Sequence, residues 1–280
     1  MPSIAYVNGR FSSIEDAVVS VEDRGFQLGD GIYEVLRTYH GQLHAVEPHM
    51  RRLFRSLDAI ELKHAFTAAG LEQIIREAVQ RAGFDDSLVY LQITRGATKR
   101  TKEFPIDVPP TLVITVRKLE LPPAAVREKG VAIQAADDIR WQRCDIKTVC
   151  LLPNVLASQR ARAAGCFEAL FVEKDGTVNE CASANIFIVA SGVVATPPLS
   201  ARILGGITRD EVVALAHKNG VPMQERRVTL DELLAADEVF MTGTTVEVLP
   251  VVKVNDRPIA AGKPGPVTQR LHKLFCELAD

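Results

Sequence analysis

The stretch DIRWQRCDIKTVCLLPN, running from Asp138 to Asn154, decides how this chain is read, because Lys147 is its lone amine. Arg140 and Arg143, together with burial beside Trp141, Ile146 and the run Val149 to Leu152, would disfavour the charged ammonium. An amine held neutral is a nucleophile, and such lysines form Schiff bases with carbonyl compounds. The alternative offered by the residues alone is a solvated lysine paired with Asp145. The rest of the chain must decide between the two.

At 280 residues there is material for one large domain or two ordinary ones, with an ample core. Hydrophobic residues at 47% and charged residues at 24% describe a globular chain rather than a disordered or membrane-embedded one. A formal charge of -2 and a pI near 6.3 give no general attraction to nucleic acid or an anionic membrane. The expected partners are therefore small molecules. Five cysteines, Cys144, Cys150, Cys166, Cys181 and Cys276, are odd in number and form no CxxC pair, so their spacing indicates neither a disulfide frame nor a zinc site. The start, MPSIAYVNGRF, lacks a basic region followed by an apolar run, and no apolar stretch approaches membrane-spanning length, so a cytoplasmic location is expected.

Outward from Lys147, strands and helices alternate irregularly. Residues 4 to 11 read as a hairpin about Asn8-Gly9, and Ile32 to Tyr39 as a strand turning at His40-Gly41, with Tyr33, Val35 and Arg37 on one face. Pro48 suits the first turn of a helix through Ile60, whose apolar stripe is flanked by Arg51, Arg52 and Arg55. A helix at about Leu71 to Ala82, a strand Leu88 to Thr94, the basic loop RGATKRTKEFP and a strand Thr111 to Val116 complete a first domain, residues 1–118. The two adjacent prolines of KLELPPAAVREKG stiffen an extended linker, 119–128. The second domain, 129–280, holds the strand Val131 to Ala136, a helix from about Val155 to Ala164, and a meander with turns at Asp175-Gly176 and Ser191-Gly192. This is an α+β chain of two domains rather than a regular βαβ winding.

Three further features could carry chemistry. ILGGITRDE, 203–211, feeds a Gly-Gly turn into a helix capped at Thr208, where free backbone N–H groups would bind phosphate. Thr208 and Glu211 also have capping-box spacing, which would satisfy those donors internally. MTGTTVEV, 241–248, is a hydroxyl-rich turn suited to an anion or to its own backbone. Glu180 precedes the small residues Cys181, Ala182, Ser183 and Ala184, leaving room for a flat ring whose pyridinium nitrogen a carboxylate could serve, as in pyridoxal phosphate; an exposed strand-end glutamate is the plainer reading.

The segments EDRGFQLGDGIYEV (22–35), QITRG (92–96), DDIRWQRCDIK (137–147), ILGGITRD (203–210) and MTGTTVEVLPV (241–251), in this order, resemble the D-amino acid aminotransferases. These are fold type IV, or class IV, pyridoxal-phosphate enzymes, a group that includes branched-chain aminotransferases, R-selective amine transaminases and aminodeoxychorismate lyases. The resemblance implies pyridoxal 5'-phosphate as cofactor, Lys147 as its Schiff-base lysine and acid/base, and Glu180 on the pyridine nitrogen. It implies a phosphate held by Arg52, by the turn at Gly206, Ile207 and Thr208, and by Gly243 and Thr244, with Leu204 beneath the ring and His49 in support. It also implies a homodimer with shared active sites and no metal.

For the substrates, a D-amino acid such as D-alanine or D-glutamate and a 2-oxo acid such as pyruvate or 2-oxoglutarate, the resemblance assigns Tyr33, Val35, Arg100 and Lys102. Lys102 stands where the family has a histidine, which keeps the charge and changes the geometry, since an ammonium is a flexible point charge and imidazole a stiff ring. A solvated loop is the alternative for Lys99 to Lys102. The other class members and a catalytically silent cofactor-binding relative are the competing expectations.

Overall fold

The structure, a computed structural model, describes residues 3–279. The chain forms two compact units: the first runs to Glu120 and includes Ile146–Cys150, and the second takes Leu121–Asp145 and the chain from Leu151 onward. The return of Ile146–Cys150 to the first unit is not contained in a division at 119–128.

The first unit opens with the hairpin β1 (Ile4–Val7) and β2 (Arg10–Ser13). Asn8 and Gly9 both take positive φ, 44° and 98°, as a two-residue turn between twisted strands requires. A short helix α1 (Arg24–Leu28), the strand β3 (Gly31–Tyr39), the short β4 (Gln42–Leu43), helices α2 (Val46–Ala59) and α3 (Ala68–Ala82), and strands β5 (Ser87–Thr94) and β6 (Thr111–Lys118) follow. The strands form one antiparallel sheet in the order β2-β1-β6-β5-β3-β4. Alternation puts Ile32, Leu36, Leu91, Ile93 and Ile114 on the face that packs with Met50, Leu53 and Leu57 of α2 and Leu71 and Ile75 of α3. Helix α1 is absent from the sequence reading because Gly25 lies within it and Gly29 follows it at once. Asp23 caps its start by accepting from the Gly25 amide at 2.8 Å, and Gly29 ends it in the left-handed region. Helix α2 starts at Val46, two residues before Pro48, so the proline lies within a first turn whose N–H groups have no intrahelical partner.

The second unit begins with α4 (Ala124–Lys129), a short helix in place of a wholly extended linker. Pro123 occupies its N-cap, a position that needs no donor. Then come β7 (Val131–Asp137), α5 (Leu152–Ala163), β8 (Glu168–Val172), β9 (Val178–Cys181), β10 (Asn185–Ala190), β11 (Val193–Thr196), α6 (Ile207–Lys218), β12 (Met223–Glu225), α7 (Leu230–Leu234), β13 (Glu238–Gly243), β14 (Glu247–Val254), β15 (Arg257–Pro258) and α8 (Pro266–Ala279). The sheet runs β12-β11-β10-β13-β14-β7-β8-β9 with β15 on β14, and its β11–β12, β14–β7 and β7–β8 pairs are parallel. Ile133, Leu170, Ile186, Met241 and Leu249 fill its core, and Phe171 packs with Ala157 and Ala161 of α5 in a second cluster. Among the described residues no helix is long and apolar enough to cross a membrane.

Candidate active site

Strand β3 divides its side chains between two tasks. Tyr33 and Val35 occupy the face away from α2, where Tyr33 stacks on Tyr90 of β5 at 5.6 Å and the Tyr90 hydroxyl donates to Gln92 at 2.6 Å. Burial, with the nearby Tyr33 adding to it, pushes the Tyr90 phenol up to about 12. The Lys147 Nζ lies over the Tyr33 ring, 4.4 Å from its centroid. The lysine is fixed there by backbone: the Tyr33 amide donates to the Lys147 carbonyl at 2.9 Å and the Val149 amide to the Gly31 carbonyl at 3.1 Å.

Glu34, on the opposite face with Ile32 and Leu36, is fully buried and meets α2. It takes Arg52 at two oxygens, Nε to Oε1 at 2.7 Å and Nη2 to Oε2 at 2.8 Å, and bonds His49 Nδ1 at 2.8 Å. Burial alone would push this carboxyl up; the charge and hydrogen bonds of Arg52, with His49, carry it well below the usual carboxylate range. Burial holds His49 below the ordinary histidine value, against the opposing pull of Glu34. With Glu34 ionised and His49 neutral, the proton of their bond belongs to Nδ1. Sequence reasoning names Arg52 for the phosphate and His49 in support, and does not foresee Glu34 between them. The signal is present, since a carboxylate at an even position between Ile32 and Leu36 must point to the core face and needs cations there.

In the second unit Glu180, at the end of β9, is held by donors to both oxygens. Arg140 Nη1 donates to Oε1 at 2.5 Å, while Asn185 Nδ2 and the Leu204 amide donate to Oε2 at 3.2 and 3.1 Å. Arg140 is gripped in turn by Asp138, Nε to Oδ1 at 3.0 Å and Nη2 to Oδ2 at 2.8 Å, and lies over the Phe171 ring at 4.3 Å. Burial opposes the charge on both partners, yet their mutual hydrogen bonds and attraction leave Arg140 raised and Asp138 lowered. Arg140 thus serves Glu180 and Asp138, and Arg143 is paired with Asp145 at 3.0 Å. That pair also gives Asp145 a partner other than Lys147. Of the apolar residues expected to bury the lysine, Ile146 is buried, whereas Trp141 is 44% exposed and Leu152 68%.

The phosphate turn differs from the expected cap. Gly206, not Thr208, is the N-cap of α6, and no side chain caps the helix; Thr208 is its second residue. The capping box therefore does not form, and the start of α6 keeps the backbone donors and positive dipole end that suit an anion. A Cβ on Gly206 would collide with Asn185 Oδ1, so a glycine is required there. Leu204 leads into this turn, and Thr244 opens the loop after β13, whose last residue is Gly243. The groups of this unit fit the ring and phosphate of a phosphorylated pyridine, with uncapped amides and a hydroxyl for the phosphate and an oriented carboxylate for the ring nitrogen. The first unit holds an amine, Lys147, of the kind that takes an aldehyde.

Arg100 and Lys102 are exposed, in a loop pinned on both sides. Arg24 Nη1 donates to the Thr101 carbonyl at 2.8 Å, Arg95 stacks on Phe104 at 3.8 Å, and Asp30 pairs with both Arg24 and Arg95.

A profile described as "Amino-transferase class IV" matches residues 31–254. The D-alanine aminotransferase of Bacillus licheniformis is 40% identical over 264 residues, 94% of this chain and 93% of the relative. That of Listeria monocytogenes serotype 4b is 38% identical over 273 residues, 97% of this chain and 94% of the relative. Among solved structures, a T.th. branched-chain amino acid aminotransferase with pyridoxamine 5'-phosphate has a TM-score of 0.91 at 30% identity, covering 100% of this chain and 94% of that one. An Escherichia coli branched-chain amino acid aminotransferase has a TM-score of 0.92 at 25% identity, covering 99% and 95%.

Proposed function

This chain belongs to the class IV aminotransferase family, and on that premise we propose that it moves an amino group between a D-amino acid and a 2-oxo acid, with pyridoxal 5'-phosphate as cofactor. The observation that carries the substrate class is the 37–40% identity, over nearly the whole chain, to D-alanine aminotransferases of several bacteria. When bound, the cofactor supplies an aldehyde that takes up the amino group and a ring that withdraws electrons from the substrate's Cα.

The residues of this chain do the rest. Lys147 offers its Nζ as nucleophile and as the base that takes the proton from Cα and returns one. Glu180, oriented by Arg140, Asn185 and the Leu204 amide, holds a proton on the ring nitrogen. The Ile207 and Thr208 amides, Gly206, Thr244, Gly243 and Arg52 receive the phosphate, with Leu204 beneath the ring. Tyr33 and Val35 shape the substrate side, and Arg100 and Lys102 take the substrate carboxylate. Those two side chains are exposed, and the reading includes a homodimer, placed in the cytoplasm, in which each subunit lends this loop to the other.

The test is a parallel assay with D-alanine, L-leucine and R-1-phenylethylamine as donors. D-alanine should be preferred by at least about tenfold in kcat/KM, the ratio that about 1.4 kcal/mol of differential transition-state binding produces. A clear preference for L-leucine would favour the second reading, a branched-chain enzyme, which the solved structures of that name support.

A further inference from the structure

Apart from the residues assigned to cofactor and substrate, Glu247, His272 and Cys276 bring three metal-binding atoms within 4.8 Å of one another. Glu247 opens β14, and His272 and Cys276 lie four residues apart on α8, the spacing that stacks side chains on one helix face. The His272 Nε2 is 3.3 Å from Glu247 Oε2 and 3.4 Å from Cys276 Sγ. A tetrahedral divalent ion with bonds of about 2.0–2.1 Å to nitrogen and oxygen and about 2.3 Å to sulfur spaces its ligands about 3.3 Å (N to O) and about 3.5 Å (N to S) apart. The observed N–O and N–S separations match those two edges, and the third, from Glu247 to Cys276, lies within 4.8 Å.

We propose that Glu247, His272 and Cys276 bind one thiophilic divalent ion of the zinc class, with water in the fourth position. On binding, the Cys276 thiol gives its proton to solvent and its sulfur donates to the ion; no electron is transferred. Coordination through Nε2 requires the His272 tautomer protonated at Nδ1. Arg127 stands in the next layer. Its Nη2 donates to Glu247 Oε2 at 2.8 Å and its Nη1 to the Val248 carbonyl at 2.6 Å. A guanidinium on the same oxygen orients the carboxylate and, as a cation, weakens the ion's hold. Outside the cluster, Cys150 and Cys166 also reach the surface, and their sulfurs face the Gly29 and Ala164 carbonyls rather than an imidazole and a carboxylate. They serve as internal controls for simple thiol capture.

Metal-stripped holoenzyme titrated with Co²⁺ tests this. One equivalent should bind with the near-ultraviolet sulfur-to-cobalt absorbance and the visible bands of a tetrahedral ion, and Zn²⁺ should displace it. Cys276→Ser should abolish the sulfur band, His272→Gln should weaken binding at least about tenfold, as loss of a ligand or its support does, Arg127→Gln should strengthen it, and Cys150→Ser should change nothing. On the wild-type protein, Zn²⁺ should slow alkylation of Cys276, read peptide by peptide in a mass spectrometer. The proposal is overturned if the wild type gives no sulfur band, if the band survives Cys276→Ser, if it is lost in Cys150→Ser, or if Zn²⁺ leaves Cys276 alkylation unchanged. None of these readouts depends on the transaminase reading.

Discussion

Replacing Glu34 by glutamine tests the most heavily buried ion pair of the first unit. The side chain keeps its shape and loses its charge, so the packing with Leu36 and α2 is preserved. Arg52, 6% exposed, then keeps its charge with no carboxylate at 2.7 and 2.8 Å to balance it. Removing one partner of a buried pair costs about 3–5 kcal/mol. The amide offers one acceptor, but its NH₂ must face either an Arg52 nitrogen or the proton on His49 Nδ1. The lower end of the range, about 3 kcal/mol, is the expected loss, a large share of the roughly 5–15 kcal/mol available to a typical domain. Urea unfolding followed by far-ultraviolet circular dichroism measures it, and a cycle with Arg52→Gln separates the pair from its surroundings. The double variant should be less destabilised than the sum of the singles by about 2 kcal/mol or more. A loss below about 1 kcal/mol for Glu34→Gln, or a cycle that sums to zero, would refute the pairing argument.

Other outcomes follow from the same geometry. His49 is held below its ordinary value of 6.5, so its contribution is complete above that pH. It is lost as the pH falls from 6.5 toward the folded value, because the unfolded chain takes up a proton that the folded one refuses; the slope is about 1.4 kcal/mol per pH unit. His49→Gln should flatten that part of a stability–pH profile, and an unchanged slope would show that another group titrates there. Arg140→Met should reduce kcat by about 10–100-fold with KM for the amino donor little changed, as loss of a supporting partner of Glu180 does; an effect on KM alone would place Arg140 elsewhere. Gly206→Ala drives a methyl into Asn185 Oδ1, and cofactor affinity, followed by absorbance during dialysis, should fall at least about tenfold, the equivalent of about 1.4 kcal/mol. Lys147→Ala should end turnover and remove the pyridoxyl mass that borohydride reduction leaves on its peptide; full activity in that variant would dismiss Lys147 as the nucleophile.

What can be read from the sequence is local. Asn8-Gly9 and His40-Gly41 announce their hairpins because few other residues accept positive φ at both turn positions, and alternation on β3 places Tyr33 and Val35 correctly. What escapes depends on partners far along the chain. Arg140 has one carboxylate partner, Asp138, two residues away in sequence, but the other, Glu180, is 40 residues away. Glu34 becomes intelligible only with Arg52 and His49 in place on α2, 18 and 15 residues on. Thr208 has the composition of a cap, but Gly206 takes the cap because a side chain there would strike Asn185. The cysteine spacing hides the Glu247, His272 and Cys276 cluster for the same reason, since one of its members comes from a strand rather than from α8.

The return of Ile146–Cys150 to the first unit bears on synthesis at the ribosome. Ile146 belongs to the core with Ile32 and Leu53, and Thr148 bridges Ile32, closing a loop that spans α2, α3 and the strands β4, β5 and β6 of that unit. Contacts of such sequence separation form late. A nascent chain released as far as Glu120 has all six strands of its first sheet and still lacks a piece of its core. That piece arrives with the lysine itself, so completion of the first unit and delivery of its amine to Tyr33 are a single event in the life of the polypeptide.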